Sequence, residues 1–460
     1  MKRRTHGILC AVLAAALLAG CGGPDIDAAP AVPETDPTGT AETAPADASS
    51  QSVTPAQQKP DLRPLTQGAG NAYYTFGSGQ AEDGMHLILY AIDYDKQQAV
   101  PVCGKAGCSH DTTDCDAWLP DQNYRTIGSD GQEVFTLCTV VGSDEAYLER
   151  ISPAESDNGQ TMARLPVLDG QVFDWTLAAA DDETVFLGAV HYDAQIGSGK
   201  PMVPAVAAVS RADGSVQLYD APDEAAAARP DGATVSTVFA GAQGRSLYFL
   251  VSLHDKNSGI QSGCELWAFD ADTAQWGKVT GFEGKITDAG TEYYEVPQSS
   301  RAADPGRVVH VDKGEGSLRA VDLTTGEETT ICTGLPAAPG EYDSYDVTRL
   351  ENWYAVTVSQ RDAATGQSQL QWFLVPTQGG DPVSMELYQY SDARGSQPVR
   401  LVDEYGGMFY CQYDITNEPY TGVGKDGVAG TFDNYHILYG LIDVEDALAS
   451  RPEYVQVFVE

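Results

Sequence analysis

ELWAFDADT (residues 265–273) is an apolar, aromatic run that breaks on a cluster of turn formers, Asp270-Ala271-Asp272-Thr273. Aromatic residues in a short run mark a β-strand, and the small and acidic residues after it mark a tight turn. A second strand, LYFLV (247–251), stands before it across a polar loop. The same pair recurs along the chain. Leading strands read AYYTF (72–76), VFTLC (134–138), VFLGAV (185–190), LYFLV, YYEV (293–296), WYAVTV (353–358) and FYCQY (409–413). Each is followed by a partner that ends in a turn, such as Asp213-Gly214 or Thr325-Gly326. A third, weaker strand follows several copies, as in VQLYD (216–220) and YVQVFV (454–459).

Seven copies at intervals of 46 to 62 residues, without a long helix among them, predict an all-β repeat fold. Four short strands per repeat fit a β-propeller, whose blades pack face to face and leave only short edges. The expected domain is residues 61–460 with seven four-stranded blades. RVVHVD (307–312) is a further strand candidate in the fifth repeat, and the first repeat has a weak innermost strand. Six or eight blades therefore also fit, and a pair of β-sandwiches is the competing architecture. LRAVDLTTGEE (318–328), and more loosely LWAFDADTAQW (266–276), resemble the blade motif of quinoprotein-like and TolB-like propellers. That resemblance implies the fold and not a quinone cofactor.

The N-terminus reads MKRRTHGILCAVLAAALLAGCGG. Lys2, Arg3 and Arg4 precede an apolar run, Ile8 to Leu18, of signal-peptide length and too short to span a bilayer. Leu18-Ala19-Gly20-Cys21 resembles the lipobox of bacterial lipoproteins, which implies removal of residues 1–20 and diacylation of Cys21. Two acyl chains suffice for stable anchoring. Cys10 falls within the removed segment. Residues 21–60 are rich in Ala, Pro, Thr and Asp and lack aromatics. Such a segment cannot bury enough apolar surface to order itself. It is read as a flexible stalk reaching roughly 35 Å from the membrane, on the extracytoplasmic side.

The formal net charge is −39, from 66 acidic and 27 basic residues. Nucleic-acid binding is excluded on this balance, because phosphate neutralisation needs clustered Lys and Arg. The charge favours solubility and a monomer, and is compatible with cationic ligands.

Strands in a blade alternate direction, so second-to-third loops and inter-blade links share one face. Residues 191–203, 252–263, 297–316, 359–369 and 414–434 are assigned there, and function is expected on that face. VCGKAGCSHDTTDC (102–115) is placed on the link between AVPVC (99–103), outer strand of blade 1, and YRTIGSDG (124–131), inner strand of blade 2. Its spacing is Cys103-x4-Cys108-x-His110-x4-Cys115. Three thiolates and an imidazole suit a structural tetrahedral zinc site. A disulfide such as Cys103–Cys115, with Cys138 as another partner, is the alternative in an oxidising compartment. A reactive cysteine is the third reading, though no Cys-x-x-Cys is present. Cys103, Lys105, Cys108, His110, Cys115, Ala117 and Trp118 resemble a stretch carried by uncharacterised propeller-like lipoproteins of Gram-positive gut bacteria. Ala106 stands where those proteins usually have Pro. The resemblance implies location and fold and carries no activity. Cys264, Cys332 and Cys411 sit singly on strand patterns and read as buried small hydrophobes.

IGSGKP (196–201) fails as a phosphate loop, because Ala194 replaces the first Gly and Pro201 the Ser or Thr. His191 with Asp193, and His254 with Asp255, follow leading strands at the same register. They are candidate binding pairs or simply polar loop starts. EYDSYD (341–346) is an acidic aromatic patch or a strand entry. No catalytic residue emerges. The leading expectation is a non-catalytic lipoprotein that binds a glycan, peptide or partner protein through its loop-rich face. An extracellular glycan hydrolase or lyase with channel carboxylates, and an envelope scaffold or sensor, are the alternatives. Paired carboxylates at the channel would favour the enzyme, and a broad aromatic patch on the loop face the binder.

Overall fold

The computed structural model describes residues 59–81, 84–120, 123–140, 143–151, 160–167, 171–193, 202–226, 234–255, 258–282, 290–301, 308–362, 364–391, 395–423 and 428–460. The expected signal segment, the expected lipidation site Cys21 and nearly all of the expected stalk lie outside these residues, as does the 196–201 motif. The chain is an all-β, seven-bladed propeller. The blades span 68–120, 123–164, 171–220, 234–281, 292–333, 344–384 and 400–459 in sequence order. Each is an antiparallel meander running from the channel outward. Among the described residues the helices are two short turns, Asp223–Ala226 and Val444–Leu448.

Both faces of a blade are covered by its neighbours, so its middle strands are buried nearly end to end. In blade 4, Ser246–His254 is buried at all seven interior positions, whereas the outer strand Gln275–Gly281 is mostly exposed. This is why the middle strands dominate the sequence pattern. The leading and following strands of the repeat are the second and third strands of each blade. The Asp turns end the third strand: Asp270 Oδ1 accepts from the amides of Asp272 and Thr273, and Asp322 Oδ1 from those of Thr324 and Thr325. Gly326 closes the latter turn at φ +71°, where a Cβ would lie 2.4 Å from Thr280 Cγ2 of blade 4. Only glycine meets both demands.

Apolar clusters fill every blade-to-blade interface. Leu137, Leu187 and Val209 join blades 2 and 3, and Val311, Val347 and Val356 join blades 5 and 6. Among the described residues, blade 1 draws only on 68–120 and blade 7 only on 400–459. Their closure rests on aromatic packing, with Tyr73–Tyr410 centroids 4.8 Å apart and Tyr90–Phe458 5.2 Å.

Two straps reinforce the ring on the face of the first-to-second turns. Residues 62–69 bond Gly244 of blade 4, Ala178 of blade 3, Ser129 of blade 2, and then enter blade 1 as its two-residue innermost strand, Gly68–Ala69. Residues 298–301 leave blade 5, pair in parallel with the inner strand of blade 6, and send Arg301 to Asp403 of blade 7. The straps meet at Gly68 N–Ser300 O, 2.5 Å.

Three sequence expectations are corrected. In the fifth repeat YYEV belongs to the innermost strand, Glu292–Glu295, and the second strand is Val308–Asp312. A tyrosine-rich inner strand imitates the aromatic second strand of the other blades. The stretch 297–316 is consequently not a loop of the loop-rich face: it holds the strap, the second strand and a tight turn. The cysteine segment is not an inter-blade link. Gln98–Pro101 and Trp118–Pro120 pair consecutively along Gly84–Asp93, and Leu89 joins them through Val102 N and Ala117 O at 2.9 Å each. The segment is an excursion out of the middle of blade 1's outer strand, at the rim.

Candidate functional sites

At that rim, one ligand atom from each of Cys103, Cys108, His110 and Cys115 lies within 4.8 Å of all the others. Zn–S bonds of about 2.3 Å in a tetrahedron require sulfurs about 3.8 Å apart, so the group needs only slight contraction to close on an ion. The turn reaches this shape through Gly107 and His110, both at positive φ. Surrounding groups hold the ligands in place. Ala117 N donates to Cys115 Sγ at 3.4 Å, Trp118 Nε1 to His110 O at 3.1 Å, and Lys105 Nζ pairs with Asp116 at 2.6 Å. Burial pushes the Cys115 thiol up to about 12. Cys103 moves the other way: burial opposes ionisation, but the amides of Lys105 and Asp116 outweigh it. The seven described cysteines are all thiols. Cys138 belongs to a different, buried cluster with Arg125, Thr136 and Glu149 in blade 2. Cys264, Cys332 and Cys411 are buried in blade cores.

The exposed aromatic residues among those described are tyrosines. Tyr342, Tyr388, Tyr420 and Tyr435 are 43–66 % exposed. Tyr342 and Tyr388 stand on links into blades 6 and 7, and Tyr420 and Tyr435 on or beside the hairpin Tyr420–Val423/Ala429–Phe432 that extends from blade 7. All four therefore lie on segments that the topology assigns to the loop-rich side. Arg361 lies over Tyr342 at 4.9 Å. EYDSYD ends as the start of the inner strand of blade 6, Ser344–Arg349, where Tyr345 turns into the core and Ser344 and Asp346 stay exposed.

Beside Tyr342 a cleft of about 940 Å³ opens where blades 4, 5 and 6 meet, lined by His254, Gln261, Tyr293, Glu295, Lys313 and Glu341 among others. Sequence reasoning missed Glu295. It sits on the innermost strand of blade 5, and its Oε1 is buried without a partner among the described residues. Burial, with Asp346 adding like charge, pushes this carboxyl up to about 8.

The two His-Asp pairs sit in different surroundings. His254 Nε2 lies 2.9 Å from Ser236 Oγ in the cleft, and Asp255 caps the following turn through Ser258. His191 is held inside its own blade by Asp220 at 3.1 Å, Gln171 at 3.4 Å and a stack on Phe173. Asp193 ends that strand opposite Gln171.

The channel holds a separate hollow of about 480 Å³. Its described lining is apolar or neutral polar except for Arg400, and contains no carboxylate.

No known protein family and no curated protein matches the sequence. Solved structures that resemble the chain are propeller-bearing. A prolyl endopeptidase aligns with TM-score 0.45 and 11 % identity over 83 % of this chain and 55 % of its own. The polysaccharide lyase Uly1 aligns with TM-score 0.40 and 10 % identity over 86 % and 92 %. The β-propeller domain of the Trilobed protease from Pyrococcus furiosus aligns with TM-score 0.33 and 11 % identity over 64 % and 72 %. The chain thus spans about half the length of the endopeptidase. These likenesses concern fold alone.

Proposed function

We propose that this protein is a non-catalytic binding propeller, anchored outside the cytoplasm through lipidated Cys21, that takes a glycan or peptide on its loop-rich face. The observation that carries this reading is the placement of the four exposed tyrosines on segments of the loop-rich side, with Tyr342 beside the cleft of blades 4 to 6. Tyrosine supplies large contact area with two rotatable bonds, a combination suited to recognition. The chain enters the propeller at Leu62, against the opposite face. Cys103, Cys108, His110 and Cys115 would hold a structural zinc, which pins the excursion to the rim. All four positions are protein ligands, so the ion would have no open site for chemistry.

The test is a screen of glycan and peptide arrays with the full chain in mild detergent and with its Tyr342→Ala/Tyr388→Ala/Tyr420→Ala variant. Retention by the first and loss by the second is expected. No retained ligand, or equal retention by the variant, would refute the reading. One observation favours a second reading: a carboxyl held protonated near neutrality, like Glu295, is what a general acid requires. Cleavage of a retained ligand, abolished by Glu295→Gln, would establish that alternative.

A further inference from the structure

The channel hollow is lined on one side by the two straps, Leu65–Thr66–Gln67 and Gln298–Ser299–Ser300, locked together at Gly68 and Ser300. Thr126, Thr176 and Thr348 stand on its walls. An adjoining hollow of about 370 Å³ between blades 6 and 7 shares Gln298, Thr348 and Arg400 with it and adds Gln389, Gln397, Gln412 and Asp346. Gln412 Nε2 donates to Gln389 Oε1 at 3.2 Å, and Gln389 Nε2 to Pro398 O at 3.1 Å, so these amides are held in a fixed order.

Arg400 stands at the junction of the two hollows. It is exposed to them, and its one hydrogen bond among the described residues is from Nη2 to Gln298 Oε1 at 3.3 Å. It forms no ion pair among the described residues. In a chain of net charge −39, with acidic groups outnumbering basic ones by more than two to one, a guanidinium lacking a carboxylate partner is unusual. The planar fork of Arg matches a carboxylate through two parallel hydrogen bonds. Amides and hydroxyls, which donate and accept, match sugar hydroxyls. Asp346, at the far side of the second hollow, can only accept when ionised and so suits a hydroxyl donor.

We propose that the channel hollow binds a monomeric sugar acid, with its carboxylate on Arg400 and its hydroxyls on the glutamine, serine and threonine side chains of the two hollows. This rests on the binding reading above and names a ligand class for it.

Titration calorimetry of the full chain in detergent tests it with three probes: D-glucuronate, D-glucose and acetate. Glucuronate should bind at least about tenfold more tightly than glucose or acetate, since neither the charge nor the hydroxyls alone fill the site. Arg400→Gln should reduce glucuronate to the glucose level, while Arg400→Lys, which keeps the charge and loses the fork, should fall between. Arg400 is exposed, so both variants should melt with the native protein, and this is checked first. Equal binding of glucose and glucuronate, or unchanged glucuronate binding in Arg400→Gln, overturns the proposal. If glucuronate fails while the arrays retain another ligand through the tyrosines, the sugar-acid assignment falls alone. If both fail, the binding reading falls with it.

Discussion

Replacing Asp403 with Ala should destabilise the propeller by about 3 kcal/mol, the lower end of the cost of orphaning one member of a buried ion pair. Asp403 is fully buried on the inner strand of blade 7. Its carboxylate accepts from Arg301 Nη2 at 2.7 Å, Arg301 Nε at 2.9 Å, Tyr94 Oη at 2.7 Å, and Ser300 Oγ. It therefore joins the strap from blade 5 to blades 7 and 1, at the seam that no shared strand closes. Without it the Arg301 guanidinium stays buried but keeps the carbonyls of Gly70 and Ala72 and the rings of Tyr94 and Tyr405. Those contacts place the expected cost at the lower end. Urea denaturation followed by tryptophan fluorescence measures it, and hydrogen exchange should rise first at the 298–301 strap. Arg301→Met/Asp403→Leu should cost clearly less than the sum of its single variants, because the two residues share one interaction. A single variant within about 0.5 kcal/mol of the native protein, or strict additivity in the pair, would refute the idea that this junction closes the ring.

Four further outcomes follow. The protein purified without chelator should carry one zinc per chain, and Cys108→Ser should lose it; elemental analysis with thiol counting reads both. Because the excursion leaves blade 1 at its rim, exchange in 102–117 should rise in that variant while the global melting temperature moves less than in Asp403→Ala. Burial raises the carboxyls of Asp130 and Asp181, but the amides of Glu133 and Gln132, with Arg63 and Arg211, outweigh it at the first. The Glu183 amide and Arg245 do so at the second, so both are held below the usual range. Their stabilisation is present above pH 4 and lost as the pH falls through the folded values, so Asp181→Asn should flatten the acid limb of a melting profile. Glu295 has the opposite sign. Its folded carboxyl lies at about 8, above the unfolded value, so stability falls as pH rises toward and through 8. Glu295→Gln should remove that fall and gain roughly 3–5 kcal/mol at pH 9, read by calorimetry.

The blade count was legible because burial of both sheet faces forces long apolar, aromatic middle strands, and six of the seven second strands stood out on that basis. The fifth did not, because Tyr293 and Tyr294 give the inner strand the look of a second strand, while Val308–Asp312 carries no Phe, Tyr or Trp. The four members of the cysteine-histidine cluster were legible from spacing alone. Their place was not: that Gln98–Pro101 and Trp118–Pro120 are one interrupted strand depends on both pairing with Gly84–Asp93, and pairing across an insertion leaves no local pattern. Glu295 and Arg400 were invisible for a similar reason. A lone Glu after YY and a lone Arg after a Pro-Val pair gain meaning only when inner strands of different blades converge on a common hollow. His191 and His254 share a register, yet Phe173, Gln171 and Asp220 enclose the first while the second faces a cleft.

The footprint of a bound ligand tests the central claim, that function resides on the loop-rich face, most directly. Hydrogen exchange of the full chain with and without the ligand retained on the arrays should show protection at the links carrying Tyr342 and Tyr388 and at the Tyr420 hairpin. The first-to-second turns at 130–133, 181–183 and 406–407 should not change. Protection confined to those turns, or to the cysteine rim, would contradict the account.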